Sequence, residues 1–189
     1  MNKRNLFIII EGPDNVGKST LIQNLKNKFN NFTLHALHYS NVKQESPAKT
    51  IEYSTKMYTE MFQHMFECSK YDTSGMIFDR SHLGEMVYGP IYRGYTGEYV
   101  LDVERKFKHI HPIWDNLYLI TLIDQPDNLI MRDDGLSFST DKEKKKTEIN
   151  NFINAHDKSL IKNKLLINIV HSDAEKVSER VTHFINHTY

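Results

Sequence analysis

The residues with the clearest chemistry lie at positions 12–19, where the chain reads Gly-Pro-Asp-Asn-Val-Gly-Lys-Ser. This is a G-x-x-x-x-G-K-[ST] loop, whose backbone N–H groups surround the phosphates of a nucleotide. Lys18 is expected to reach the β- and γ-phosphates, and the Ser19 hydroxyl is expected to hold Mg²⁺. The residues predicted to bind the nucleotide are Gly12, Asn15, Val16, Gly17, Lys18, Ser19 and Thr20.

A second candidate is Asp79-Arg80-Ser81, directly after a short apolar segment. A carboxylate at the end of a buried strand is placed to hold Mg²⁺ directly or through water. The planar guanidinium of Arg80 can bind a phosphate with two parallel hydrogen bonds. On their own these residues would also fit a helix-capping aspartate and a surface arginine. Next to a phosphate loop, they predict a metal ligand at Asp79 and a phosphate-binding cation at Arg80.

The hydrophobic pattern predicts the elements that position these residues. Residues 6–10 form the short, apolar, β-branched segment of a buried strand. After the loop, Leu21, Ile22, Leu25 and Phe29 form the apolar stripe of a helix. Strand-like and helix-like segments alternate along the rest of the chain, which is typical of an α/β domain with a mostly parallel sheet. In such a sheet ligands bind beyond the carboxyl ends of the strands, where both motifs lie.

Further elements follow from the same pattern and from capping residues. Ser46-Pro47 predicts the start of a long helix, and Ser172-Asp-Ala-Glu175 predicts a capping box before a last helix. A single helical segment is predicted over 99–114. Strands are predicted at 32–38, 75–79, 117–123 and 164–170.

Composition restricts the function. The 189 residues suffice for one domain, here predicted to span 1–189. Lys plus Arg and Asp plus Glu both number 24, so the strong basic surface of a dedicated nucleic-acid binder is missing. The single cysteine, Cys68, cannot form an internal disulfide, which favours a reducing compartment. No apolar segment reaches membrane-spanning length, and the phosphate loop follows the first strand too closely for a signal peptide. We therefore expect a cytoplasmic protein.

A lid is predicted at about 132–146. This segment contains little to bury, and it follows a strand-end region where ligands bind. Phosphoryl transfer needs a cation near the migrating phosphate, and the phosphate loop offers no arginine between its glycines. Arg132 is the first candidate for that catalytic cation. The alternatives are Lys142, Lys144, Lys145 and Lys146, although a lysine cluster is more often a solvated helix face.

Several stretches resemble thymidylate kinases. Residues 11–20 look like the Glu-Gly-x-Asp-x-x-Gly-Lys-Ser-Thr opening of that family, and residues 78–80 look like its Asp-Arg motif. Residues 119–126 resemble the strand and Asp-x-Pro before its lid. The resemblance covers nearly the whole chain in outline and is specific at the first two motifs. It implies a three-layer P-loop kinase fold with a five-stranded parallel sheet flanked by helices, ATP and Mg²⁺ as cofactors, and a homodimer.

The resemblance also implies roles for individual residues. In thymidylate kinases the loop aspartate, here Asp14, contacts the sugar of the acceptor nucleotide. The motif arginine, here Arg80, contacts the acceptor's phosphate, and the motif aspartate, here Asp79, lies near Mg²⁺. The region after Arg80 touches the acceptor. By position, the candidates there are Glu85, Tyr88, Tyr92 and Arg93.

One departure concerns the base of the acceptor. Thymidylate kinases read thymine partly with an arginine on their long second helix, but residues 48–72 contain no arginine. Instead, Met61-Phe62-Gln63 resembles the Phe-Gln of deoxynucleoside kinases, where the glutamine pairs with the base edge. We therefore expect Gln63 to read the base and Phe62 or Phe66 to stack on it. The alternative is that Gln63 is a boundary residue of the helix.

The acceptor group is predicted from a missing carboxylate. A nucleoside attacks through a hydroxyl and benefits from a carboxylate base, which deoxynucleoside kinases carry at the end of the second strand. Here that strand ends His38-Tyr39-Ser40, and the next carboxylate is Glu45. A monophosphate is already an anion, so it needs cations and positioning. We predict ATP- and Mg²⁺-dependent transfer of the γ-phosphate to a deoxynucleoside monophosphate, with dTMP or a related pyrimidine nucleotide as first choice.

Three alternatives stay open. A deoxynucleoside kinase would phosphorylate the 5′-hydroxyl, with His38 as a candidate base. A nucleotide-dependent binding module would need no acceptor, but the chain has no Asn-Lys-x-Asp motif for reading guanine. A kinase of a modified base in DNA is opposed by the neutral charge.

Overall fold

The protein is built on a parallel sheet between two layers of helices. The computed structural model describes residues 5–71 and 74–188. In chain order, the strands are β1 (Asn5–Glu11), β2 (Thr33–His38), β3 (Ser74–Asp79), β4 (Leu117–Ile123) and β5 (Asn163–Asn168). They lie in the order β2-β3-β1-β4-β5, and every neighbouring pair is parallel. The predicted fold class is confirmed, and the strand boundaries agree within two residues.

The helices cover both faces of this sheet. They are α1 (Lys18–Lys28), α2 (Pro47–Cys68), α3 (Gly84–Tyr88), α4 (Val100–Phe107), α5 (His111–Trp114), α6 (Pro126–Met131), α7 (Lys142–Lys158) and α8 (Ala174–His187). A π-helical turn, Gly89–Arg93, follows α3. The predicted helical segment over 99–114 is therefore two helices, α4 and α5.

The alternation of side chains along β1 divides the core into two halves. Phe7 and Ile9 pack in the half that contains α2, α3 and α4, whereas Leu6, Ile8 and Ile10 pack in the half that contains α1 and α8. All five residues are fully buried, as expected for a central strand covered on both sides. The arrangement holds the carboxyl end of β1 rigidly at the middle of the sheet edge.

Two helix starts test the capping predictions. The Ser46 Oγ accepts a hydrogen bond from the Lys49 backbone N–H at 3.3 Å, which confirms the predicted start of α2. At α8 the capping residue is Asp173, one position after the predicted Ser172. The Asp173 carboxylate accepts from the Lys176 N–H at 2.8 Å, and a charged acceptor suits the positive end of a helix dipole.

The segment predicted as a lid is part loop and part helix. Residues 132–141 are irregular, and α7 begins at Lys142 with Asp141 as its cap. The lysines at 142–146 therefore belong to the first turns of α7. Among the described residues, none of the helices has the length and apolar character that crossing a membrane requires.

Candidate active site

The phosphate loop connects the centre of the sheet to α1. It follows Glu11 at the end of β1, and α1 begins at Lys18 with Gly17 as its cap. Gly17 has a φ of 89°, a left-handed conformation that glycine adopts without strain. Gly12 is required for a different reason, because a Cβ there would collide with the carbonyl oxygen of Leu122 on β4. Strand, loop and helix thus form the arrangement that binds anions at a helix N-terminus.

Lys18 is buried within this loop. Its Nζ donates to the carbonyl oxygens of Gly12 at 2.9 Å and Pro13 at 2.7 Å, and the residue is only 6% exposed. Burial, aided by the nearby Arg80, lowers the pKa of Lys18 from 10.5 to about 8, although Asp14 partly opposes this. An anion beside the ammonium group would relieve that cost. The loop is therefore suited to a phosphate group.

A first cavity of about 330 Å³ lies against the phosphate loop. Besides Lys18, it brings together two guanidinium groups, those of Arg80 and Arg132. With Asp14 and Asp134 also in the lining, three cations face two carboxylates, so the cavity has a net positive charge that favours an anion. The lining residues are Asp14, Asn15, Gly17, Lys18, Ser19, Thr20, Arg80, Arg132, Asp134 and Leu136.

Arg80 lies at the carboxyl end of β3, next to the loop. Its backbone N–H donates to the carbonyl of Ile10 on β1 at 3.0 Å, and its φ is 68°. This conformation is uncommon outside glycine and is found preferentially at functional sites. The Arg80 guanidinium forms an ion pair with the carboxylate of Asp14 in the phosphate loop. The two residues expected to contact an acceptor therefore contact each other in this structure.

Asp79, the predicted metal ligand, is not among the residues that line the first cavity. Its Oδ1 is buried and has no hydrogen-bond partner among the described residues. Kinases hold Mg²⁺ through one or two carboxylates plus phosphate oxygens, so a single unpartnered carboxylate oxygen fits that ion. The other predicted ligand, Ser19, lines the first cavity. Within the described ranges, no three His, Cys, Asp or Glu side chains group closely enough to bind a metal by themselves.

Arg132 connects the first cavity to an apolar one. Its guanidinium pairs with the buried carboxylate of Asp124, which also accepts from the Asn128 amide at 2.8 Å. Arg132 also lines a cavity of about 180 Å³, here named the third cavity, whose other walls are mostly apolar. The lining residues of this third cavity are Val16, Gly17, Thr20, Leu21, Leu122, Arg132, Ile169, Ser172, Ala174 and Val177. Such a pocket beside a phosphate site suits a flat, uncharged group.

The irregular segment 132–141 contacts the phosphate loop directly. The Asn15 amide donates to the Asp133 carboxylate and to the Ser137 hydroxyl, both at 3.0 Å. Farther along, the Phe138 ring packs on Tyr88, with ring centroids 5.2 Å apart. The segment therefore covers the region between the loop and α3, as a lid would.

The lysines at the start of α7 have different surroundings. Lys142 pairs with Asp127 at 2.7 Å, and Lys144 and Lys146 are exposed. Lys145 is fully buried and pairs with Glu148 at 3.1 Å, which a lysine cluster did not predict. Of the cations proposed for the lid, only Arg132 lines the first cavity.

A second cavity of about 220 Å³ shares Arg80 with the first. Its lining residues are His38, Tyr39, Ser40, Asn41, Tyr58, Arg80, Ser81, Gly84, Glu85, Tyr88, Arg93 and Phe138. Of the predicted acceptor residues, Glu85, Tyr88 and Arg93 lie here. Tyr92 instead donates to Glu148 at 2.6 Å and stacks on Phe138. The two cavities thus meet at one arginine.

Glu85 is the centre of a hydrogen-bond network in the second cavity. The residue is 1% exposed, and its Oε1 accepts from Arg93 Nη1 at 2.5 Å. Its Oε2 accepts from the Asn41 amide at 2.9 Å and from the hydroxyls of Tyr95 at 2.6 Å and Tyr99 at 2.9 Å. Burial and the hydrogen bond to Glu85 raise the pKa of Tyr95 to about 12, so this hydroxyl stays a donor. The Glu85 carboxylate is therefore committed to protein donors.

The residues expected to read the base lie elsewhere, which corrects the expectation for α2. Phe62 is fully buried in the core and stacks on Phe107 with centroids 5.2 Å apart. Gln63 is exposed, and the partly exposed ring of Phe66 lies 4.8 Å from Lys70 Nζ. The helix meets the second cavity one turn earlier, through Tyr58. The reason is the rotation of α2, which turns Phe62 into the core against Phe107 and Trp114 and leaves Gln63 exposed.

Several cavity residues were not predicted. Tyr39, Ser40 and Asn41 directly follow β2, and Phe138 lies in the lid. Tyr39, Ser40 and Asn41 could have been predicted, because they follow the carboxyl end of a strand, where ligands bind in a parallel sheet. Nothing in the local sequence marks Phe138, whose contact with Tyr88 depends on the path of the lid.

Comparisons of the chain with known proteins bear on its fold. A family model described as a domain of unknown function (DUF6449) matches residues 19–104, less than half of the chain. No curated protein matches the chain in sequence. The thymidylate kinase of Candida albicans is similar in structure with a TM-score of 0.67 and 14% identity, covering 98% of this chain and 93% of that one.

Two other solved structures are similar over nearly their whole length. The YorR protein of Bacillus subtilis, in complex with phosphorylated GDP, has a TM-score of 0.65 and 15% identity, covering 95% of each chain. Deoxyadenosine kinase from M. mycoides, with dCMP and dCDP bound, has a TM-score of 0.54 and 17% identity, covering 96% of this chain and 98% of that one. Together with the sheet order and the phosphate loop, these likenesses show that the chain has the fold of the thymidylate kinase-like P-loop kinases.

Proposed function

We propose that the protein transfers the γ-phosphoryl group of ATP to a deoxynucleoside monophosphate, with dTMP or a related pyrimidine nucleotide as the acceptor. The observation that carries this proposal is the position of Arg80, which lines both the phosphate-loop cavity and the second cavity. A donor in the first and an acceptor in the second would meet at this guanidinium. A cation shared by the two phosphates would stabilise the charge of in-line transfer between them.

The donor would occupy the first and third cavities. Its phosphates would lie among the loop N–H groups, with Lys18 at the β- and γ-phosphates. The apolar third cavity offers the adenine base a place beside Arg132. Asp79 and Ser19 would hold Mg²⁺, which supplies charge neutralisation on the phosphates. Because Arg132 lines the first cavity and lies at the start of the lid, it is the cation we assign to the migrating γ-phosphate.

Binding of the substrates would exchange ion pairs. Arg80 is held by Asp14, and Arg132 is held by Asp124. A phosphate carries more charge than a carboxylate and offers the same bidentate geometry to a guanidinium. Each arginine can therefore turn from its carboxylate to a phosphate without leaving a cation unpaired. Asp14, once released, would be free to bind the acceptor's sugar.

The second cavity favours a phosphate-bearing acceptor over a nucleoside. Among the described residues that line it, Glu85 is the one carboxylate, and its oxygens already accept four hydrogen bonds from the protein. A hydroxyl nucleophile would lack a free carboxylate to take its proton. A monophosphate needs no base and would gain from Arg80.

One observation favours the nucleoside alternative. His38 lines the second cavity, and its Nδ1 lies 3.6 Å from Asp79 Oδ2. A deoxynucleoside kinase needs a base near the attacking hydroxyl, and this imidazole would be the candidate for that role. Replacing His38 with glutamine separates the two cases. Transfer to a nucleoside would fall by about 10²- to 10⁴-fold, whereas transfer to a monophosphate would change little.

The test is an acceptor panel. The protein is incubated with ATP, Mg²⁺ and each of the deoxynucleosides or their monophosphates, and the products are separated and identified. We expect a diphosphate from at least one pyrimidine monophosphate, and no such product from Lys18→Ala. Lys26→Ala, on an exposed position of the same helix, is the matched control. Full activity of Lys18→Ala, or hydrolysis of ATP with every acceptor unchanged, would refute the proposal.

A further inference from the structure

Two residues that line the second cavity each carry a buried polar atom without a described protein partner. Among the described residues, Asn41 Oδ1 and the Tyr88 hydroxyl have no hydrogen-bond partner, and both residues line this cavity. Leaving such a group unpaired typically costs about 1–3 kcal/mol, so each position needs an explanation. A ligand in the cavity would supply the missing partners.

The orientation of the Asn41 amide is fixed by chemistry. Its nitrogen lies 2.9 Å from Glu85 Oε2, and a carboxylate oxygen only accepts hydrogen bonds. The Tyr95 hydroxyl gives its hydrogen to Glu85, so its oxygen accepts from the same amide nitrogen at 3.3 Å. Both contacts require the N–H₂ group on the Glu85 side. Asn41 therefore offers the cavity an acceptor, its Oδ1, and nothing else.

The charge around Asn41 suits an uncharged group. Glu85 and Arg93 form an ion pair with their side chains 2% and 12% exposed, so the two charges cancel locally. Arg80 lines the same cavity and also the first cavity, at the phosphate loop. An acceptor with one charged and one uncharged end would place its phosphate at Arg80 and its base toward Asn41.

The order of the strands supports the same placement of the acceptor, with its phosphate at Arg80 and its base toward Asn41. The phosphate loop follows β1, Arg80 follows β3, and Asn41 follows β2, which is the outer strand of the three. Neighbouring strands are about 4.8 Å apart. Phosphate donor, acceptor phosphate and acceptor base would then follow one another outward along the sheet edge.

We infer that Asn41 is a specificity-determining residue, which accepts a hydrogen bond from an N–H group on the base of the acceptor. Glu85 is a positioning residue, because it holds the Asn41 amide in the orientation that exposes only the acceptor oxygen. This inference rests on the proposed function in taking the second cavity as the acceptor site. It adds that a base without an N–H at this position is rejected.

The test compares methylated nucleotides with their parents by binding calorimetry, so that it does not depend on turnover. The probes are dTMP and N3-methyl-dTMP, dGMP and N1-methyl-dGMP, and dCMP and dAMP with their N-dimethylated derivatives. For the parent that binds best, we expect the methylated form to bind at least about tenfold more weakly to the wild type. Asn41→Ala should reduce that preference to within about threefold. Asn31→Ala, on the exposed turn before β2, should preserve it.

A second variant tests the positioning role. In Glu85→Gln the new side chain can donate as well as accept, so the Asn41 amide is free to turn over. The preference for the parent base should fall even though Asn41 is present. A merely structural role of Glu85 would weaken both ligands equally and leave their ratio unchanged, which would overturn the positioning role. A 3′-deoxynucleoside monophosphate is included as a further ligand, to test whether Asn41 instead contacts the 3′-hydroxyl of the sugar.

The remaining outcomes are distinct. Equal binding of parent and methylated nucleotides to the wild type would overturn the inference and leave phosphoryl transfer untouched. A loss of preference for the 3′-hydroxyl in Asn41→Ala, with the base preference intact, would also overturn it, because Asn41 would then read the sugar. Absence of binding by every monophosphate would overturn both the inference and the proposed acceptor site. Base-dependent binding without any transfer would support the inference while contradicting the proposed reaction.

Discussion

Replacing Lys18 with methionine should change the stability of the protein in a strongly pH-dependent way. The pKa of Lys18 is lowered by burial from 10.5 to about 8, so its charged form is disfavoured in the folded state. The wild type therefore carries the full cost of that charge below pH 8 and loses the cost as pH rises toward 10.5. Since each pH unit is worth about 1.4 kcal/mol, the interval between the two values amounts to about 3 kcal/mol.

Methionine has nearly the same shape and no charge, so its variant escapes this cost at every pH. Measured as the free energy of unfolding in urea, the advantage of Lys18→Met over the wild type should be about 3 kcal/mol larger at pH 7 than at pH 10.5. Lys26→Met, at an exposed position of α1, is subtracted to remove the general effect of losing one positive charge. A difference that stays constant with pH, or that grows as pH rises, would refute the account of a buried, charged lysine in the loop.

Three further substitutions separate stability from activity. Gly12→Ala should lower the free energy of unfolding in urea by about 2–5 kcal/mol, because its φ of 146° and the carbonyl of Leu122 leave no room for a Cβ; a variant as stable as the wild type would contradict the observed loop conformation. Arg132→Ala should cost about 1–3 kcal/mol, because it removes the cationic partner of the buried Asp124 carboxylate, while kcat for phosphoryl transfer falls by about 10³-fold or more; an unchanged kcat would remove Arg132 from the reaction. Tyr88→Phe should be neutral or stabilising in thermal unfolding, because it removes a buried hydroxyl without a described partner, and it should weaken binding of the acceptor measured by calorimetry; a clear loss of stability would mean that the hydroxyl is already satisfied.

Local sequence was sufficient for the features that depend on neighbouring residues. The phosphate loop was predictable because its glycines, Lys18 and Ser19 act within eight consecutive positions. The start of α2 was predictable because Ser46 bonds a backbone N–H three residues later. Asp79 and Arg80 were predictable because a strand end determines where they stand.

The base-reading residues could not be predicted in the same way. The apolar stripe of α2 indicates which face is buried, but not which turn of that face meets a cavity and which meets the core. Phe62 and Tyr58 share this face, and only Tyr58 reaches the second cavity. The role of Asn41 depends on Glu85, which is 44 residues away, and on the donors that fill the Glu85 carboxylate. Such networks form only when the elements pack together.

The burial of a charged lysine near the start of α7 also could not be predicted from the local sequence. Four lysines near the start of α7 read as a solvated face, yet Lys145 is fully buried against Glu148. The pairing of Arg80 with Asp14 likewise joins two motifs that are 66 positions apart. The contact between Arg80 and Asp14 arises from the strand order, which places the ends of β1 and β3 side by side. Lys145 and Glu148 lie three positions apart on α7, and their burial depends on the packing of α7 against α3 and β4.

Arg80 lines both the first and the second cavity, and we propose that it holds the phosphate of the acceptor. The most direct measurement follows the transfer of a labelled γ-phosphate from ATP to a deoxynucleoside monophosphate and to the matching deoxynucleoside. The comparison uses the wild type, Arg80→Gln, and Arg105→Gln, which alters an exposed arginine on α4. We expect label in the diphosphate for the wild type and the control, and a fall of about 10²- to 10³-fold in Arg80→Gln with its circular dichroism unchanged. Undiminished transfer by Arg80→Gln, or label that enters the deoxynucleoside alone, would contradict the proposal.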